Sequence, residues 1–412
     1  MSMNNINEKQ DSLCTGCGAC YAICPHNAIS YEIGPKGFFI AHAEEDRCTH
    51  CGLCTKSCIK FSIHRDDCAD LFQKSLYAAQ SSNPQDLESC TSGGVAQAFS
   101  KMAVSQQRTV LGTVYDPDRQ IAKTVFADTQ QELEPLKGSK YLQSETAHAY
   151  RELIKDMRIH LHKQYLVFGT PCQIYGLSGI LSHLGLRERA VLVDLCCHGI
   201  PSYLVWNNYL EHLKNKKGLS KIDQVVFRDK VYGWHNYTMH IRGNGKEFYE
   251  CSENSLLYQA FFDNVFLNTP CLKCELRRKY SRADIRLGDF WGKDYIQRDD
   301  GVTAVFVLTQ RGKEFWDSAK ENLHILDQHQ PEDCLAYQSL HIYNISEQLQ
   351  TESIEALSKN HNLKKTMRIY RRSFPFRYHV KLAVKRASAG IPMSLRIRLK
   401  KSYQKRTSSE RE

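Results

Sequence analysis

The chain has 412 residues, 42% of them hydrophobic, and a formal net charge of +10, enough for two or three domains around a substantial core. The charge is uneven. Residues 364–412 hold 16 Lys+Arg against 2 acidic residues, which leaves 39 basic against 43 acidic residues for everything before them. The basic stretch has no recognised nucleic-acid module and little aromatic stacking surface, so nucleic acid is not an expected partner. The N-terminus is polar, and the longest apolar runs, such as Val302–Leu308, are strand-sized, so neither a signal segment nor a membrane span is read and a cytoplasmic protein is expected. Seventeen cysteines, an odd number, point in that setting to metal ligation rather than to disulfide bridges.

Two cysteine runs come first. Cys14, Cys17, Cys20 and Cys24, then Cys48, Cys51, Cys54 and Cys58, both read C-x2-C-x2-C-x3-C, the bacterial two-cluster ferredoxin pattern. Three cysteines at this spacing wrap one cubane and the fourth ligates the other. Cys14, Cys17, Cys20 and Cys58 are therefore assigned to one 4Fe-4S cluster, and Cys48, Cys51, Cys54 and Cys24 to its partner. Zinc sites use four ligands without this rhythm. The second run lacks the usual proline, since Ile59 follows Cys58. His50 is read as a solvent-facing or supporting group, not a ligand. Between the runs, two β-prone stretches flank Gly34-Pro-Lys-Gly37, which predicts a hairpin. The module is placed at residues 1–62, with Cys68 a free thiol in the linker beyond.

From about Leu76 the texture changes. Ser92-Gly93-Gly94 precedes a helical stretch, Thr109–Tyr115 reads as a strand, and Gly138-Ser139-Lys140-Tyr141 offers a compact loop with one cation and one aromatic face. Such loops suit a dinucleotide, because small residues at a helix start expose backbone N–H groups to phosphate; each alone is also an ordinary turn. The strand Tyr165–Phe168 runs into Gly169-Thr-Pro-Cys172-Gln173, and Ala190–Leu195 runs into Cys196-Cys197-His198-Gly199. Helical stretches between the strands argue for an α/β layout with a site at the strand carboxyl ends. Cys271-Leu-Lys-Cys274 follows, with Arg277, Arg278, Lys279 and Arg282 behind it. Cys172, one of Cys196 and Cys197, Cys271 and Cys274 could converge. The residues leave three readings open for that quartet: a third 4Fe-4S cluster, structural zinc, or buried free thiols.

These stretches resemble the beta-subunit family of coenzyme F420-reducing hydrogenases and F420-linked formate dehydrogenases. The resemblance runs collinearly over residues 76–330, from Ser92-Gly93-Gly94 through Gly138–Ser144, Gly169–Gln173, Cys197–Ser202, Phe227–Lys230 and Cys271–Cys274 to Asp284–Gly292. It implies FAD held by Ser92, Gly93, Gly94, Gly138, Ser139, Lys140 and Tyr141, and one further 4Fe-4S cluster on Cys172, Cys197, Cys271 and Cys274. The fold class expected is α/β: an α+β ferredoxin module fused to an α/β flavoprotein core, with a basic C-terminal extension over residues 331–412. Arg277, Arg278, Lys279 and Arg282 could neutralise the flavin pyrophosphate or form a solvated basic face. His198 and His235 are candidate proton donors, although a lone histidine beside a metal loop is more often a satisfied supporting group.

The resemblance implies an iron–sulfur flavoprotein oxidoreductase. A reduced ferredoxin-like donor or a partner enzyme would deliver electrons, and a small-molecule two-electron acceptor would take them up. Coenzyme F420 is one candidate acceptor; a nucleotide-sugar or lipid-linked intermediate is another. The rival is a non-catalytic electron-transfer subunit docking to a partner enzyme, in a surface-polysaccharide setting. In the tail, Val380, Ala383, Val384 and Ala387 share a helical face beside Arg377, Lys381 and Lys385, with Gly390 and Pro392 as the stop. Such a helix suits peripheral contact with anionic lipid, or else is a solvated tail.

Overall fold

In a computed structural model, residues 4–389 are described, apart from 57, 62 and 64, together with residue 395. The frame is a nine-stranded mixed sheet. From one edge to the other its strands are Leu323–His329, Ser75–Ser81, Thr303–Val307, Ile285–Asp289, Ala190–Leu195, Tyr165–Phe168, Thr109–Asp116, Ile121–Ala127 and Ser144–Glu145. The four strands at its centre, from Ile285–Asp289 to Thr109–Asp116, run parallel. Two of them, Tyr165–Phe168 and Ala190–Leu195, read as near-continuous apolar runs because helices cover them on both faces. The α/β expectation holds, with the helical stretches between the strands where periodicity put them.

Local signals fix the connections. Pro171 opens the helix Pro171–His183, and the Gln173 side chain accepts from the Thr170 N–H at 2.9 Å, so the strand ending at Phe168 turns directly into a helix. Ser202 caps the helix Tyr203–Lys217, which closes on Gly218 in the left-handed region at φ 66°. Gly94, at φ 76°, starts the helix Val95–Ser105.

The expected hairpin is present: Ile29–Ile33 pairs antiparallel with Phe39–Ala43. The cysteine module is not a free appendage, however. Its helix Ala19–Ile23 contributes Ala19, Ala22 and Ile23 to the same apolar core as Leu153, Ile154, Ile174 and Leu177 of the sheet-covering helices. Polar ties reinforce the seam. Gln143 accepts from the Phe39 N–H at 2.7 Å and donates to the Thr15 carbonyl at 3.1 Å. Thr146 donates to the Cys17 carbonyl, and Asn268 to that of Cys14. The linker is equally engaged: Ala69–Asp70 pairs with Tyr280–Ser281, and Cys68 lies beside Arg282.

Residues beyond 330 also belong to the body. Cys334 and Leu335 are buried in one apolar core, and Leu357, Leu363, Met367 and Tyr370 in another. Burying side chains of this size stabilises the fold by roughly 1.5–3 kcal/mol each, so the C-terminal extension packs onto the core as far as Tyr370. The helix Phe376–Ala389 appears where the basic amphipathic pattern predicts it, while its stop, Gly390 and Pro392, lies outside the described residues. Among the described residues no helix is long and apolar enough to cross a membrane.

Candidate functional site

The structure brings the cysteines of the two N-terminal runs close together. Cys20 is raised well above its ordinary value, first by burial and then by Cys17, Cys58, Cys14 and Cys54. Burial pushes the Cys58 thiol up to about 12, with Cys17 and Cys14 adding to it. Cys54 is pushed up to about 11, by burial and then by Cys48, Cys24 and Cys51. The fourth cysteine of each run thus stands with the other run's triplet. Donors already point at the sulfurs: Gly16 N–H to Cys14 at 3.4 Å, Ala28 N–H to Cys24 at 3.3 Å, and Asn5 Nδ2 to Cys48 at 3.5 Å. N–H donors of this kind stabilise sulfur that carries charge. His50 pairs with Glu45 at 3.4 Å and stays outside both sets.

The second gathering of cysteines lies where the central strands end. Cys172 sits in the first turn of the helix Pro171–His183. Cys197 follows the strand Ala190–Leu195, and Cys271 and Cys274 come from the short turn Thr269–Lys273 and its end. Burial raises Cys172, followed by Cys17, then Cys271 and Cys274. Burial pushes Cys197 up to about 11, with Cys274 next. Cys271 is raised by burial, Cys197 and Cys274. The Arg277 N–H donates to Cys274 Sγ at 3.4 Å. Four half-buried cysteines whose thiols burial raises fit a thiolate-ligated centre, since a positive metal reverses the burial penalty on the thiolates. Cys196 lines the cavity beside the quartet, but its neighbours are Arg286, Asp194, Asp289 and Cys197, and it packs against Gly288 and Cys334. Among the described residues no three His, Cys, Asp or Glu side chains close on the position of a single ion.

Beside this quartet opens a cavity of about 340 Å³. Both glycine loops singled out in the sequence reach it. Ser92 and Gly94 line one wall, and Gly138, Ser139, Lys140 and Tyr141 another. Gly93 lies behind them, where a Cβ would stand 2.5 Å from the Ala79 carbonyl oxygen; only glycine allows this approach of loop to sheet. Ser139 N–H donates to Thr91 Oγ1 at 2.9 Å and joins the two loops. Cys197 and Arg277 line the same cavity, so the quartet meets the space between the glycine loops through Cys197.

Several predicted side chains are committed elsewhere. Lys140 Nζ donates to the carbonyls of Pro135, Leu136, Lys137 and Gly138; it shapes its own loop instead of presenting a free cation. Of the four basic residues behind Cys274, only Arg277 reaches the cavity. It is buried, donates to the Ser339 and His341 carbonyls, lies 4.3 Å from the Tyr343 ring, and keeps its Nε without a partner among the described residues. Arg278 donates to the Leu340 carbonyl, Lys279 pairs with Asp70 at 3.2 Å, and Arg282 pairs with Asp67. Those three hold the linker and the following segment.

The two histidines differ from the expectation as well. His198 lines the cavity, but Asn264 Oδ1 sits 2.8 Å from its Nε2, and Tyr343 and Ser339 flank its Nδ1. Burial lowers it to about 4, so the ring is neutral at ordinary pH and no ready proton donor. His235 stacks near Trp234 and Trp291 and is not among the lining residues.

Three features escaped the sequence reading. Asp194 and Arg286 form a fully buried two-point ion pair at 2.5 and 2.6 Å under the cysteine quartet. Arg228 bonds Asp289 at 2.7 Å and lies 4.2 Å from the Tyr237 ring, which braces the aromatic wall of Tyr237 and Trp291. Lys230 Nζ donates to the carbonyls of Leu87, Ser92 and Asp300 and pins the Ser92 loop. Charged residues inside strand-like runs such as Asp284–Asp289 were the available signal.

Residues 162–331 match the family of the C-terminal part of the coenzyme F420 hydrogenase/dehydrogenase beta subunit, and residues 13–61 match a 4Fe-4S dicluster domain. The chain is similar to the F subunit of the F(420)H(2) dehydrogenase of Methanosarcina mazei, at 20% identity over 334 residues, 78% of this chain and 86% of that protein. A chain in a solved structure of the F420-reducing NiFe hydrogenase complex from Methanosarcina barkeri is 18% identical, covering 74% of this chain and 94% of that one with a TM-score of 0.43. By these matches residues 162–331 resemble the C-terminal part of the coenzyme F420 hydrogenase/dehydrogenase beta subunit, and residues 13–61 in front of them resemble a 4Fe-4S dicluster domain.

Proposed function

We propose that this chain is an iron–sulfur flavoprotein oxidoreductase that passes electrons between three 4Fe-4S clusters and a two-electron substrate through FAD. The observation that carries the reading is the order of its sites. The Cys24/Cys48/Cys51/Cys54 set includes the exposed Cys51. The Cys14/Cys17/Cys20/Cys58 set adjoins Cys172 through Cys17, and the Cys172/Cys197/Cys271/Cys274 set adjoins the cavity through Cys197. The ligand sets therefore lead from the surface to the cavity in sequence.

When bound, a flavin accepts electrons singly or in pairs, which matches one-electron clusters to a hydride-type carrier. The chain's own residues hold and insulate the sites. Ser92, Gly94, Gly138 and Ser139 present small residues and backbone to the dinucleotide, and Gly93 lets their loop pack on the sheet behind. Arg277 offers its unpartnered Nε to an anionic group, and Tyr141, Tyr237 and Trp291 supply aromatic faces. The cytoplasm is the proposed setting, a reduced ferredoxin-like protein or a partner enzyme the proposed donor, and a deazaflavin such as coenzyme F420 the first acceptor to test. In this proposal residues 1–62 are the cluster module, 76–330 the flavin core and 331–412 a C-terminal extension with a basic tail.

The test is anaerobic turnover with a reduced ferredoxin as donor and coenzyme F420 or a nicotinamide as acceptor. Reduction of either acceptor, lost in Cys172→Ser, supports the reading. Cluster reduction without transfer to any acceptor would favour an electron-transfer subunit that relies on a partner.

A further inference from the structure

The surface formed by the helices Leu363–Tyr370 and Phe376–Ala389 has a composition the electron-transfer site does not use. Phe376, Val380 and Val384 stand 82%, 47% and 63% exposed, at i, i+4 and i+8 and so on one face of their helix. Ile369 on the preceding helix is 46% exposed. Around them Arg368, Arg372, Arg377 and Lys381 are all exposed, and none has a carboxylate partner among the described residues. The sequence from 364 to 409 contains no acidic residue. Large side chains left open beside unpaired cations are unusual for a surface that meets only water.

The helix is nonetheless firmly mounted. Its opposite side turns Tyr378 to Asp263, whose carboxylate also receives Tyr370 and Arg371, at 2.6–2.7 Å. Asp263 directly follows Phe262, which lines the cavity. The exposed face is therefore held outward from a point beside the proposed flavin site.

We propose that this face docks the protein on an anionic lipid surface. Charge complementarity favours anionic lipid over neutral lipid, and apolar side chains at helical spacing favour a bilayer over a purely acidic protein surface: they gain by entering the headgroup boundary, while the cations pair with lipid phosphates.

The test uses the full chain and cosedimentation with phosphatidylcholine vesicles, with or without about one quarter phosphatidylglycerol. Two double variants accompany it, Val380→Ser with Val384→Ser, and Arg377→Glu with Lys381→Glu, each checked for unchanged iron content and far-ultraviolet dichroism. The expected result is binding to the anionic vesicles that exceeds binding to neutral ones by at least about tenfold and falls at least about tenfold in each variant. Absence of binding, equal binding to neutral vesicles, or a serine variant that binds like the wild type would overturn the proposal. The last result, with equal retention on polyglutamate, would identify an acidic protein partner instead. Turnover with soluble donor and acceptor is read separately in the same variants, so failure here leaves the electron-transfer reading to its own test.

Discussion

Cys17 and Cys172 are neighbours across the seam between the cysteine module and the sheet. A Cβ placed on Gly176, one turn beyond Cys172, would lie 3.2 Å from Cys17 Sγ and 2.8 Å from Ala19 Cβ. The two proposed cluster sites thus meet through a position that tolerates no side chain. Gly176→Ala should push the helices apart and destabilise the protein by about 1–3 kcal/mol, as overpacking does. Denaturant unfolding measures the loss, and redox titration should show weakened magnetic coupling between the two centres. An unchanged midpoint with unchanged coupling would contradict the close seam.

The pair Asp194–Arg286 makes a second prediction. Both side chains are fully buried, and Ser281 also donates to Asp194 at 2.7 Å. Asp194→Asn leaves the guanidinium buried without its counter-charge, which should cost about 3–5 kcal/mol. Because Arg286 also lies close to Cys196 and Cys274, iron should be lost from the core quartet before the N-terminal sets. Iron analysis during mild chelation would separate the two; uniform loss would deny the pair its supporting role.

Lys140 gives a pH dependence. Burial lowers its ammonium from the ordinary 10.5 to about 7, even though its loop carbonyls accept from it. The unfolded chain therefore binds this proton more tightly than the folded one between about pH 7 and about pH 10.5. Lys140 should contribute a stability that rises with pH across that window and is flat below it. The difference in thermal midpoint between wild type and Lys140→Met, followed from about pH 6 to about pH 9.5, should change along the window. A constant difference would mean that the ammonium keeps its ordinary affinity.

Much of this was legible in the sequence because the chemistry is local. Cysteine spacing limits which sulfurs can share a centre, and the nearness of Cys58 to Cys14 and Cys17, and of Cys24 to Cys54, is what the two runs lead one to expect. The strands Tyr165–Phe168 and Ala190–Leu195 announced themselves as apolar runs ending in cysteine, and the two glycine loops marked the cavity. What stayed hidden depends on long-range packing. Nothing near Lys140 says that its charge would be spent on its own loop. Nothing near Arg278, Lys279 or Arg282 says that they hold other segments while Arg277 turns inward. The segment after residue 330 looked like an extension because its apolar residues are sparse, yet Gln338, Ser339 and Leu340 complete the cavity wall. The helix Phe376–Ala389 was readable as amphipathic, but its anchoring on Asp263 was not, since more than a hundred residues separate the partners.

The central claim is that three cysteine quartets lead to one flavin cavity. Metal and flavin content of protein purified without oxygen tests it most directly, with Cys172→Ser alongside. The account predicts about twelve irons and one FAD per wild-type chain, and about eight irons in the variant. About eight irons with no flavin in the wild type would contradict it, leaving a two-cluster module on a core that binds neither group.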